Sequence, residues 1–228
     1  MMTIRLAKKD DVSKVSQIHA FCWRETYSFM PRTVLQSRNR KFRKSQWIKW
    51  FESQAKDEAL FVVEADHVVV GFCFCCPNKD DAIQGRGEMH AAYVLPDFRG
   101  REVGPMMMMA MLDFMIGHEL TPPVLWAFRD NPIRLWYAQM GWRAEVRRDR
   151  VIEGCAIPEV GYVCTDVVAL HTRLRKLIRR YCGETALTQT RQRFQRNPHQ
   201  SSFRLTAVSP DNSRTMTETG RQTRLDPL

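Results

Sequence analysis

The run from Gly87 to Gly104 constrains the fold more than any other part of the chain. Its first half reads as a strand ending at Pro96, a glycine-bearing turn follows, and a helix opens near Pro105. Proline suits that opening because the N–H it lacks would have no helical partner in a first turn. At such a junction several unpaired main-chain N–H groups and the positive end of a helix dipole converge on one point. The spacing therefore predicts an anion cradle over Arg99, Gly100, Arg101, Glu102, Val103 and Gly104. Glu102 is the odd member. Facing a diphosphate at about 6 Å with an effective dielectric near 20, its carboxylate would oppose each phosphate charge by about 3 kcal/mol. Turned outward it costs little, because the donors belong to the main chain.

Hydrophobic periodicity places the cradle within an α/β order. Thr3 to Leu6 reads as a strand, and Asp10 and Asp11 read as the cap of a helix burying Val12, Val15, Ile18, Phe21 and Cys22. Arg32 to Gln54 reads as a second helical region with Val34, Leu35, Phe42, Trp47, Ile48 and Phe51 inward. Leu60 to Ala65 and Val68 to Cys76 form a hairpin about Asp66-His67. After the cradle come a helix to Gly117, a strand from Val124 to Phe128 and a helix from Ile133 to Met140 that stops at Gly141. Trp142 to Val146, Val151 to Ile157 and Tyr162 to Val168 supply three closing strands. A mixed sheet flanked by helices follows, with the anion motif at a strand-to-helix junction.

The segment Val94-Leu95-Pro96-Asp97-Phe98-Arg99-Gly100-Arg101-Glu102-Val103-Gly104 closely resembles the acetyl-CoA motif of the GNAT acyltransferase family, with Glu102 where that pattern carries its middle glycine. The element order agrees, and the resemblance covers about Thr3 to Val168. It implies a GNAT-like mixed, mostly antiparallel central sheet flanked by helices, with a splayed strand pair that admits CoA. It also implies an N-acetyltransferase that moves acetyl from acetyl-CoA to a primary amine by direct attack in a ternary complex. The substituted cradle keeps a second reading open, a catalytically degenerate CoA-binding or regulatory module.

Strand alternation sets Glu88, His90 and Ala92 on one face and Met89, Ala91 and Tyr93 on the other. Glu88 and His90 are thus two titratable groups on one side, and a carboxylate or imidazole near an amine can take its proton directly or through water. The resemblance assigns the base to the position of Glu88. It also implies a bulge around Tyr93, Val94 and Leu95 whose main-chain N–H meets the thioester carbonyl. Downstream, Asn131 to Trp142 resembles the family's Asn, helix, Tyr and Gly-aromatic segment, which implies that Asn131 contacts CoA and that Tyr137 protonates the departing thiolate. Asn131 also reads as a helix cap. Trp23, Glu25 and Tyr27 are read as an acceptor pocket for a cationic amine, or, for the two rings, as core.

At 228 residues, 44% apolar and 26% charged, the chain predicts one soluble domain over residues 1–168, a basic helical extension over 169–182 and a disordered tail over 183–228. No apolar run approaches the roughly 20 residues of a membrane span, and the start lacks a secretory leader. Seven cysteines without scaffold spacing fit a reducing, cytoplasmic setting. Cys73, Cys75 and Cys76 read as packed thiols, because no second Cys or His pair completes a metal site at finger-like spacing, and no metal cofactor is expected. A formal net charge of +10 attracts nucleic acid, but equally the three phosphates of CoA. Nucleic-acid binding is therefore the lesser reading. The partners expected are a small-molecule or peptide amine and, by resemblance, a second copy in a homodimer.

Overall fold

A computed structural model describes residues 2–180. The tail expected to be disordered lies outside the described residues.

Seven strands form one sheet in the order β1-β2-β3-β4-β5-β7-β6. They are β1 (Met2–Leu6), β2 (Ala59–Ala65), β3 (Val68–Pro77), β4 (Gly87–Val94), β5 (Pro123–Phe128), β6 (Arg143–Ile152) and β7 (Cys155–Val163). Every neighbouring pair is antiparallel except β4 and β5, which run parallel and pair only through Gly87↔Pro123 and Glu88↔Val124. Beyond Glu88 these two strands diverge. The sheet is therefore open at its middle, as the resemblance implied.

The helices are α1 (Val12–Thr26), α2 (Arg32–Ser37), α3 (Arg40–Glu52), α4 (Val103–Gly117), α5 (Arg134–Gln139) and α6 (residues 167–180). One sheet face carries α4 and α6, whose Met106, Met107, Leu112, Met115, Leu170, Leu174 and Ile178 are buried with Phe61, Val63 and Leu125. The other carries α1 and α3 in an aromatic layer of Trp23, Tyr27, Trp47, Trp50, Phe72, Phe74 and Tyr93. Truncating any one of these large buried side chains to alanine would cost about 2–5 kcal/mol.

Several expectations need correction. The helical region over residues 32–54 is two helices, broken where the Asn39 side chain accepts from Phe42 N–H and starts α3. Its buried side is Arg43, Gln46, Trp47 and Trp50, while Ile48 is exposed. Those two polar residues lie inward because α3 packs on α1 through a partly polar seam, which a hydrophobic period does not reveal. Phe21 is likewise exposed, and His19 and Trp23 take its place. Asp11 does not cap α1. Its carboxylate accepts from Lys8 N–H at 2.7 Å and pairs with Arg5. The three closing strands are two long ones, because Glu153 and Gly154 hold positive φ and turn the chain inside the run expected to be a strand. The Asp66-His67 turn is as expected, both residues holding the positive φ of a tight hairpin.

Candidate active site

The divergence of β4 from β5 opens a cavity of about 570 Å³. Met89, Ala92, Tyr93 and Val94 line it from β4, Leu125, Trp126 and Ala127 from β5, and Asn131 and Tyr137 from the following segment. Its mouth is the start of α4, with Arg99, Gly100, Arg101, Gly104 and Pro105. Glu102 and Val103 are not among the lining residues.

The mouth is a row of unused donors. Phe98 N–H and Arg99 N–H close a tight turn on Leu95 and Pro96, and Met106 N–H bonds back to Glu102. Between them, the N–H groups of Gly100, Arg101, Glu102, Val103 and Gly104 carry no hydrogen bond among the described residues. Gly100 holds φ +71°, which a side chain rarely adopts, and a Cβ on Gly104 would meet nothing within 4 Å. That open space beside five donors and a helix N-terminus is shaped for phosphate oxygens. Glu102 precedes α4 in helical conformation with its side chain off the cavity. The carboxylate therefore keeps clear of the donor row, which is the outward placement that costs little.

Leu95 N–H bonds to Val70 O on β3 at 2.9 Å. Because successive strand residues turn their N–H groups to opposite edges, Val94 N–H faces the gap towards β5. The Val94 carbonyl agrees, accepting from Arg99 Nε at 2.9 Å rather than joining the β3 ladder.

The bulge in β4 lies elsewhere than expected. Phe74 pairs with Ala91 and Cys75 with Met89, which leaves His90 as the extra residue. A bulged residue breaks alternation. Met89 therefore lies in the α4-side core, while Ala91 and Tyr93 join Glu88 and His90 on the α1 side, and Ala92 leaves them for the cavity. The faces read from strict alternation are corrected on this point. Glu88 and His90 are brought together, with His90 Nδ1 and Glu88 Oε1 at 2.9 Å, but neither lines the cavity that holds Tyr137.

Burial pushes the Tyr137 phenol well above the ordinary tyrosine range, with Tyr27 and Tyr162 adding to the rise. It holds its proton at any physiological pH. Asn131 is buried, donates to Tyr27 Oη at 3.3 Å and accepts from Ile133 N–H at 3.2 Å. Its side chain thus caps the turn into α5 while lining the cavity. Glu25 and Arg99 form a two-point pair, with Nη1 to Oε1 at 2.9 Å. That bond pulls the Glu25 carboxyl below its usual range. Glu25 is therefore engaged at the cavity rim and is not an open carboxylate for a cationic amine. Trp23 is buried core, whereas Tyr27 is buried and also lines the cavity.

Sequence reasoning passed over the cavity role of α4. Met107, Met108 and Met111 line the cavity as well as the core. It also passed over the buried polar group of His19, Arg43 and Gln46 on the α1 side. There Trp47 Nε1 donates to His19 Nδ1 at 3.3 Å, and the Arg43 guanidinium lies 4.8 Å over the Trp23 ring. Burial holds His19 well below its ordinary value, and Arg43 adds to the depression. Burial likewise raises the Cys22 and Cys164 thiols, which disfavours a thiolate nucleophile at either.

A model of the acetyltransferase (GNAT) family matches residues 12–142, more than half of the 228-residue chain. The chain belongs to the GNAT acetyltransferase family. It is 25% identical over 177 residues to the uncharacterized N-acetyltransferase YuaI of Bacillus subtilis, covering 77% of this chain and all of that one. An uncharacterized N-acetyltransferase of Archaeoglobus fulgidus is 31% identical over 147 residues, covering 62% of this chain and 93% of that one. Among solved structures, YncA from Salmonella typhimurium with its cofactor acetyl-CoA shares the fold at a TM-score of 0.54 and 19% identity, over 72% of this chain and 93% of that one. As a GNAT protein the chain is an acyltransferase, and its open sheet with one parallel seam is the scaffold for that chemistry. Among the described residues no helix is long and apolar enough to cross a membrane.

Proposed function

We propose that the protein is an acetyl-CoA-dependent N-acetyltransferase acting on a primary amine by direct attack within a ternary complex. The observation that carries this reading is the row of five unpaired N–H groups at the start of α4, opening into the gap between β4 and β5.

Acetyl-CoA supplies an acetyl thioester, which the amine converts to an amide as the C–S bond breaks. The N–H groups of Gly100 to Gly104 hold the diphosphate, with Arg101 adding charge at the mouth beside the Arg99–Glu25 pair. Tyr93 and Val94 border the arm's path, Leu95 packing instead against the α1-side core, and Val94 N–H stabilises the oxygen that gains charge during attack. Tyr137, kept protonated by burial, gives its proton to the departing sulfur. Asn131 keeps Tyr27 and the α5 turn in register. The Glu88–His90 pair accepts the amine proton from its side of β4 through water, since neither residue lines the cavity. The Met-lined wall excludes bulk water from the thioester.

The test is thiol release from acetyl-CoA across a library of primary amines. Tyr137→Phe should retain acetyl-CoA binding by calorimetry and lose about 100-fold or more in turnover. Unchanged turnover in that variant removes the assigned acid. Acetyl-CoA binding without release on any amine favours the degenerate binding module instead.

A further inference from the structure

The bulge at His90 does more than break alternation. It turns the His90 imidazole to the face that already holds Glu88, and β3 pairing sets Cys76 directly across from Glu88. The result is a compact donor set: one sulfur, one imidazole nitrogen and one carboxylate oxygen, all within 4.8 Å of one another. Cys76 and His90 are half-buried and Glu88 is buried. We propose that Cys76, Glu88 and His90 form a binding site for a borderline divalent transition metal, with zinc as the best-matched ion.

Three arguments support that choice. The donors are of the types that zinc accepts together, thiolate, imidazole and carboxylate, whereas magnesium and calcium take oxygen alone. Three protein ligands leave a fourth tetrahedral position open. The set is also held in place beforehand. Two of the ligands are fixed by strand pairing, the Glu88 carboxylate lies 2.9 Å from His90 Nδ1, and the Phe74 ring stands edge-on to the imidazole at 5.7 Å.

This site lies on the α1 side of β4, away from the cavity between β4 and β5. A metal held there would occupy the pair assigned above to accept the amine proton. The binding itself does not depend on that assignment, and its readout is spectroscopic. Cys76 lies twelve residues before Glu88 and Glu88 two before His90, a spacing without the paired Cys or His of a finger motif, and strand pairing is what brings them together.

The experiment is titration of the reduced full-length protein with cobalt(II) as a zinc surrogate, followed by displacement with zinc. The expected result is one equivalent of cobalt with a thiolate-to-metal charge-transfer band and the strong visible bands of a tetrahedral centre. Zinc should abolish both. Cys76→Ser should lose the charge-transfer band, and His90→Gln should weaken binding about 10- to 100-fold. X-ray absorption of the zinc-loaded wild type should show one sulfur at about 2.3 Å with nitrogen and oxygen at about 2.0–2.2 Å. That measurement stands even where a variant fails to fold. A charge-transfer band that survives Cys76→Ser, octahedral cobalt without sulfur, or no stoichiometric binding overturns the proposal.

Discussion

The two faces of β4 were made from adjacent residues and have opposite characters. Towards α4 the strand borders a cavity whose mouth presents five N–H groups without partners and a glycine beside open space. Towards α1 the same strand is sealed under Trp23, Trp47 and Phe72. Some polar groups on that side meet one another, Trp47 with His19 and His90 with Glu88, while among the described residues His19 Nε2 and Trp23 Nε1 are buried without a hydrogen-bond partner. Buried polar groups left unpaired are costly, so the closed side carries those two atoms at the expense of stability. Donors left unpaired at a solvent-reached mouth are available to a ligand. The difference teaches where to look for function: on the side where unspent hydrogen-bonding capacity is open to solvent.

The sharpest way to break this comparison is Val94→Pro, which deletes the N–H facing the gap while leaving the β3 ladder intact. Turnover should fall about 100- to 1,000-fold, with the calorimetric Kd for acetyl-CoA nearly unchanged. Retained turnover would mean that the open edge of β4 is not used. Next is Gly104→Glu, which places a carboxylate into the open space beside the donors. At about 3 kcal/mol per phosphate charge it should weaken acetyl-CoA binding by about 100-fold or more, read by the same calorimetry. Equal affinity would place the diphosphate elsewhere.

The closed face predicts a pH effect on stability. His19 is neutral when folded, with its proton affinity pushed well below the ordinary value of 6.5 by burial. The unfolded chain therefore takes up this proton first as pH falls. The stability in question is fully present above about pH 6.5 and is lost on acidification towards the folded value, at about 1.4 kcal/mol per pH unit. Denaturant melts of His19→Gln between pH 7 and 5 should show a slope flatter by about that amount. Parallel slopes would show that His19 is not the sealed neutral group described. The smallest effect expected is for Glu102→Gln, because that side chain does not line the cavity. Acetyl-CoA affinity should change by less than about threefold; a gain near 100-fold would return the carboxylate to the cradle.

Much of this was legible in the chain. The strand end, Gly100 and Gly104, and the helix start are local, written within one continuous run, and the structure keeps those elements there. The element order followed from periodicity for the same reason. What escaped was non-local or was a break in a period. The bulge at His90 is set by pairing across β3, so strict alternation misplaced Ala91, Ala92 and Tyr93. The Arg99–Glu25 pair joins residues 74 positions apart, and no local pattern could remove Glu25 from the open acceptor pocket. Arg38 and Arg43 counted towards a basic surface by composition, yet both are buried. Arg38 pairs with Glu153 and Arg43 lies against Trp23.

The central claim is that the N–H groups of Gly100 to Gly104 grip the diphosphate of acetyl-CoA. Amide-resolved NMR of the labelled protein, titrated with acetyl-CoA and then with an acetylated pantetheine lacking the diphosphate, tests it directly. The account predicts downfield shifts and slowed exchange at Gly100, Arg101, Glu102, Val103 and Gly104 with the first ligand and not with the second. Saturable acetyl-CoA binding that leaves those five amides unmoved would contradict it.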